Sequence, residues 1–201
     1  MVMDYARAHG VGIAGNESHS TVLVLLNTEI TANKTHLHDN GLAISWMGKS
    51  QDVYPYDQKG YILHEFAGSA FGKLGPETIS HLTFLDACGC PGCNMKEEYN
   101  RAQRNGWWKN VTKTNKLKSL PWYHLMFHEK YSSIVDIFEG GINHSRGAYR
   151  SENQSVMGDA YVYYFNTISR ELLVRRIMEC AGEDFVFDDF VSRDIIELPE
   201  Q

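Results

Sequence analysis

Apolar positions in this chain gather into short runs separated by polar, glycine-rich stretches, and the spacing inside each run says what it becomes. Thr21 to Leu26 (TVLVLL) is β-rich and apolar throughout, the pattern of a buried strand, and Asn27 closes it. Gly41 to Met47 (GLAISWM) predicts a second short strand, and the polar stretch between them, with His36 and His38, reads as a surface loop. Ahead of both, Met1 to His9 reads as a short helix ended by Gly10, Gly12 and Gly15. From Asp57 the period lengthens. Tyr61, Ile62, His64, Glu65, Ala67, Gly68, Phe71 and Leu74 recur at three- and four-residue spacings, the mark of an amphipathic helix, and Gly75-Pro76 is its stop.

Ile79 to Leu85 then leads into a cysteine-bearing turn. Lys96 to Arg104 predicts a charged, exposed helix that stops at Asn105-Gly106, and Trp122 to Tyr131 is an aromatic stretch carrying His124 and His128. Ser132 to Phe138 ends at Glu139-Gly140-Gly141, and a loop is predicted from there to about Asp159. Thr167 to Cys180 is the second strong helix. Its apolar stripe is Ile168, Leu172, Leu173, Ile177 and Cys180 or Ala181, with Gly182 as its cap. Phe185 to Ile196 reads as a short closing helix. No internal repeat or low-complexity linker interrupts the chain, so residues 1–201 read as one α/β domain.

Bulk composition narrows the class. With 201 residues, 43% of them hydrophobic, one domain can bury a real core without disulfides or metals to hold it. The formal charge of −6, with no long basic run, argues against nucleic acid as a partner. No apolar stretch approaches the ~20 residues a membrane helix needs, so no transmembrane segment is expected. The opening MVMDYARAHG lacks the basic and apolar regions of a secretory leader; the chain reads as cytosolic as encoded or as a mature fragment.

Three of the four cysteines, Cys88, Cys90 and Cys93, fall in the run CGCPGC. In a reducing compartment such a loop can hold a metal, and in an oxidising one it can close a local disulfide. The second pair of ligands that usually completes a zinc site is missing, which leaves a glycine-proline turn with spectator thiols as the plainer reading.

The stretch with most chemistry in it runs from His64 to Glu77, HEFAGSAFGKLGPE. A histidine followed by a glutamate on an apolar helix is the opening half of a zincin motif, where the histidine binds zinc and the glutamate deprotonates the metal-bound water. The standard motif needs a second histidine one turn later, and here i+4 is Gly68 and i+5 is Ser69.

The stretch resembles the metallopeptidase helix of the IgA-peptidase family in the form found in gut Bacteroidetes. That form has a histidine-glutamate pair, then Gly-Gly-His, Phe-Gly-Lys-Leu and Ala-Asp-Glu-Tyr. Phe71-Gly72-Lys73-Leu74 and Glu77 match it closely. The likeness continues in order through Gly106-Trp107-Trp108, Asn110-Val111-Thr112, Trp122 with His124, Tyr131, and Glu139-Gly140-Gly141. It goes on through Gly147-Ala148-Tyr149-Arg150, Ser155-Val156-Met157, and Phe165-Asn166 with Ser169-Arg170, so it spans roughly residues 1–195. The resemblance implies a metzincin-like α/β fold, zinc under the helix, and a methionine turn beneath the metal.

Carried across residue by residue, the resemblance implies His64 as first zinc ligand, Glu65 as general base and Met157 as the methionine of the turn. Ser69 stands at the second ligand position and Pro76 at the third, so two of the three expected ligands are absent. One histidine does not hold zinc usefully or bring the pKa of bound water toward ~7. The expectation is a catalytically inactive pseudopeptidase with zinc absent or weakly held, binding peptide or glycoprotein in the ancestral cleft. Two alternatives stand beside it. One is an active zinc endopeptidase using substitute ligands from His144, His128, His81 or the Cys88 to Cys93 loop. The other is a structural or adhesion module built on the fold. Relatives are usually exported, often as lipoproteins, a feature this chain does not display. Trp107, Trp108 and Trp122 read as apolar anchors, and Arg150 and Arg170 as loop-fixing cations.

Overall fold

The computed structural model describes residues 20–26, 33–48, 57–90 and 92–196, and the helix expected over Met1 to His9 lies outside them. Among the described residues the chain is a mixed α/β domain with two mixed sheets and five α-helices. In the first sheet β1 (Thr21–Leu26) and β2 (Lys34–Leu37) flank β3 (Ala43–Gly48), β1 parallel and β2 antiparallel to it. Alternation is clean in β3, where Ala43, Ser45 and Met47 are buried. β1 departs from its expected burial: it is an edge strand with β3 as its one described partner, and Leu25 is 74% exposed. The supposed loop around His36 is in fact β2. Thr35 and Leu37 alternate with Lys34 and His36, a period-two pattern too short to stand out among its polar neighbours.

The chain then enters α1 (Asp57–Tyr61), which widens without a break into a π-helix over Ile62–Phe71. It ends ahead of Gly75-Pro76, because Lys73 adopts a left-handed backbone (φ +54°) and turns the chain.

The second sheet is β4 (Ile79–Phe84), β5 (Val111–Thr112), β6 (Phe138–Gly141) and β7 (Asn143–Arg150), and all of the first three pair with β7. The predicted loop after Gly141 thus contains the central strand. Its residues, Asn143-His144-Ser145-Arg146-Gly147, offer neither β-branched side chains nor a polar–apolar alternation to read. The turn into it is a two-residue hairpin connection at Ile142 and Asn143, both at positive φ (+52° and +60°). That is the two-residue turn usually written Asn-Gly or Asp-Gly. A β-branched residue in that conformation is strained, and Ile142 is fully buried among Leu85, Tyr99, Val111 and Ala148, which hold it there.

Helices α2 (Met95–Arg104), α3 (Tyr123–Met126), α4 (Thr167–Ala181) and α5 (Phe187–Arg193) complete the fold. Asn166 caps α4, its side chain accepting from Ser169 N, and Gly182 (φ +72°) ends it. Ile168, Leu172 and Leu173 pack inward as the stripe requires. Ile177 and Cys180 are exposed, because the helix outruns the core beneath it. Two apolar centres matter to the site. One, around Leu74, Val156 and Met157, packs with Leu63, Phe165, Leu172 and Leu173. The other gathers Trp122, Leu125, Tyr131, Ile168 and Phe190. None of the described helices is long and apolar enough to cross a membrane.

Candidate functional site

The site is built by the irregular helix. An α-helix brings residues three or four apart onto one face, whereas a π turn closes i to i+5 and aligns residues five apart. His64 and Ser69 are five apart on the π-helix, and both line one cleft of about 330 Å³. Glu65 and Pro76 line it too, so the structure brings together four of the residues singled out by sequence. Leu74, Trp107 and Trp108 add apolar surface, and β2 contributes Lys34, Thr35, His36 and Leu37. From α2 come Glu98 and Arg101.

His64 is oriented from behind. Its Nδ1 donates to the Val156 carbonyl at 2.7 Å, and because a carbonyl only accepts, the neutral ring keeps its lone pair on Nε2. The Glu65 carbonyl accepts from Thr35 Oγ1 (2.9 Å) and Ser45 Oγ (3.2 Å). Those two hydroxyls also bond each other at 2.8 Å, so the first sheet grips the π turn. Met157 lies beneath the same helix: a Cβ placed on Gly68 would sit 2.4 Å from its Sδ. Gly68→Ala is therefore expected to lose about 1–3 kcal/mol by overpacking, read as a lower denaturant midpoint at unchanged slope. An unshifted midpoint would mean the thioether moves aside freely.

Glu77 sits under this layer, fully buried, with donors converging on its carboxylate. Asn110 Nδ2 donates to Oε1 at 2.9 Å, Asn166 Nδ2 to both oxygens at 2.8 and 2.9 Å, and Ser155 Oγ to Oε2 at 2.5 Å. Burial pushes its pKa up, against the opposite pull of those hydrogen bonds and of the Arg150 charge. The network ties the cleft floor together. Glu77 N donates to the Met157 carbonyl (2.8 Å), Asn110 clasps both backbone groups of Gly75, and Asn166 is the cap of α4. Asn110 is fully buried. Lys73 is buried as well; its Nζ donates to the Gly41 carbonyl at 2.5 Å, and burial brings its pKa down to about 8.

A second cluster lies behind the cleft wall. Ligand atoms of Cys88, Cys93 and His144 all fall within 4.8 Å of one another, a group that could hold a metal ion. The three thiols of the loop form no disulfide. The pKa of Cys88 is drawn down to about 6, first by its hydrogen bond with the Cys90 thiol and then by its interaction with His144. His144, on β7, thus brings a third potential ligand to Cys88 and Cys93 of the CGCPGC run.

The other sequence candidates are placed elsewhere. The ring of His81 sits 5.2 Å from that of His144, and His128 packs against Tyr131 and Phe187. None of His81, His128 and His144 lines the cleft. His36 does, and it was missed as a site residue because its strand was missed; burial and the neighbouring His38 lower its pKa. As a donor set for the zinc implied by the family resemblance, the residues at the matched positions do not suffice. One imidazole, a serine hydroxyl and a proline without a donor do not make the three-ligand site that zinc hydrolases use. Arg150 donates to the Glu139 and Gly140 carbonyls, and Trp122 Nε1 to the Asp136 carbonyl, the scaffold roles expected of both.

The chain matches no model of a known protein family, and no curated protein matches it.

Proposed function

We propose that this chain is a metallopeptidase-like domain of the IgA-peptidase type, metzincin-like in fold, whose catalytic metal position has lapsed and whose cleft now serves as a peptide-binding groove. The observation that carries the reading is the π-helix over Ile62–Phe71. It sets His64, Glu65 and Ser69 on the wall of one cleft with Pro76 beside them and Met157 below. An i+5 spacing of ligands fits such a helix better than an α-helix. Without a metal-activated water, Glu65 has nothing to deprotonate, and peptide hydrolysis is not expected.

A peptide suits the cleft for a second reason. β2 lines it and, among the described residues, pairs only with β3, so its outer edge has backbone donors and acceptors for an extended chain. Trp107, Trp108 and Leu74 give side chains an apolar surface, and Glu98 with Arg101 gives them charge.

Restoring the lost positions tests the reading. The double variant Ser69→His with Pro76→Asp is expected to bind one zinc per chain beyond whatever the parent holds, and to lose that increment when His64→Ala is added. A double variant that folds and takes up no extra zinc would falsify the assignment of the ligand positions. One observation favours the working-enzyme alternative: His36 shares the cleft with His64 and Glu65. Zinc in the parent that leaves with both His64→Ala and His36→Ala, together with cleavage of a quenched peptide library, would establish it instead.

A further inference from the structure

The cysteine loop and β7 meet through three potential ligands, Cys88, Cys93 and His144. Cys88 follows directly on Leu85–Ala87, the 3-10 turn at the end of β4, and Cys93 immediately precedes Asn94 at the start of α2. His144 comes from the second position of β7, 51 residues beyond Cys93, and is fully buried. Its Nδ1 donates to the Ile142 carbonyl at 2.7 Å, which leaves the Nε2 lone pair for the thiols. That is the outer hydrogen bond by which metal-binding histidines are fixed in tautomer and direction.

One distance already matches coordination. With zinc–sulfur and zinc–nitrogen bonds of about 2.3 and 2.05 Å in a tetrahedron, the sulfur–nitrogen edge comes to about 3.6 Å. Cys93 Sγ and His144 Nε2 stand 3.6 Å apart. Cys90 is the neighbouring thiol: its backbone N–H donates to Cys88 Sγ at 3.4 Å, although its own sulfur stands outside the group of three ligand atoms that lie within 4.8 Å of one another. We propose that Cys88, Cys93 and His144 hold a tetrahedral structural zinc ion that clamps the β4–α2 loop onto β7, with Cys90 supplying the fourth ligand by turning its thiol toward the metal. Each thiol releases its proton to solvent as the metal binds, and His144 binds neutral, so the site carries one net negative charge.

Such a clamp answers a local weakness. β4 pairs with β7 through only three registered positions with shifts between them, and Leu82 and Phe84 on it are exposed. The clamp also sets the cleft. Asn94, next to Cys93, and Asn143, next to His144, both line it, so the metal would fix the spacing of two wall residues from opposite elements. The site is independent of the lapsed position at His64, and the two are separable by mutation.

The test uses the full chain, purified in reductant without chelator. One zinc per chain is expected, retained in His64→Ala. In competition with a chromophoric chelator, Cys93→Ser and His144→Asn should each weaken zinc binding by more than about 100-fold, beyond the loss from an outer-sphere partner alone. Cys90→Ser should weaken it comparably if it is the fourth ligand. Cobalt(II) in place of zinc should give intense tetrahedral d–d bands and thiolate charge transfer. Thiol titration needs no variant: one cysteine, the exposed Cys180, should react fast in the zinc form, and four after chelation. A chain that retains no zinc, a weak octahedral cobalt spectrum, four fast thiols at the outset, or zinc that leaves with His64→Ala and stays with His144→Asn would each overturn the proposal.

Discussion

Replacing Glu77 with alanine is expected to remove about 3–5 kcal/mol of folding stability, the range found when one member of a buried polar network is deleted. The carboxylate receives donors from Asn110, Asn166 and Ser155, none of which reaches water. Ser155 can turn its hydroxyl elsewhere, and Asn110 keeps its bond to the Gly75 carbonyl. Asn166 loses both of its acceptors on Glu77 and is left with a buried, unsatisfied N–H, and a void opens beside it. For a chain of this size the melting temperature should fall by on the order of 10 °C. A loss under about 1 kcal/mol would show that water or a neighbour replaces the carboxylate.

The pH dependence of Glu77→Gln has a definite sign. Burial raises the folded-state pKa of Glu77 above its ordinary value of 4.5. Its contribution is therefore fully present below pH 4.5 and is lost as pH rises through the folded-state value. Glutamine imitates the protonated side chain. The cost of the substitution should be greatest at acid pH and shrink as pH rises, measured by denaturant titration across the range. A cost that grows with pH would mean the hydrogen bonds outweigh burial.

Trp122→Ala is the second large effect, about 3–5 kcal/mol, as for other buried aromatic truncations. The ring is fully buried at the centre of a cluster with Leu125, Tyr131, Ile168 and Phe190, and its Nε1 donates to the Asp136 carbonyl at 3.0 Å. Trp122→Phe separates the two contributions. It retains much of the apolar volume and gives up the hydrogen bond, so it should cost about 1–2 kcal/mol. Equal losses in the two variants would place the weight on the N–H and not on the ring. Because this centre shares only Leu172 with the Met157 layer, peptide binding by folded Trp122→Phe should match the parent.

These two residues mark what the sequence made legible. Trp122 was readable as an anchor from size and aromatic context alone, and α2, α4 and α5 were readable from period and caps. His64 and Glu65 were readable as a pair on an apolar helix, but not the π register beneath them. Its five-residue alignment leaves no signature in a pattern scored for spacings of three and four. Glu77 was legible only as a match within a motif, because a buried carboxylate looks like any surface one until its partners, 33 to 89 residues away, are in place. The same distance hid the partnership of His144 with the cysteines. β7 was invisible for a different reason. It is held by pairing on both sides and needs no side-chain pattern of its own.

The hairpin that leads into β7 cannot start its own formation. A left-handed isoleucine is uphill in an isolated chain, so β6 and β7 gain nothing from being adjacent in sequence until Ile142 has an interior to enter. That interior is made of Leu85, Tyr99, Val111 and Ala148, contributed from well before the turn as well as after it. Packing from distant elements therefore holds the turn in this half of the molecule. Loosening any of them weakens the hold on the turn, and through it on the strand that carries His144.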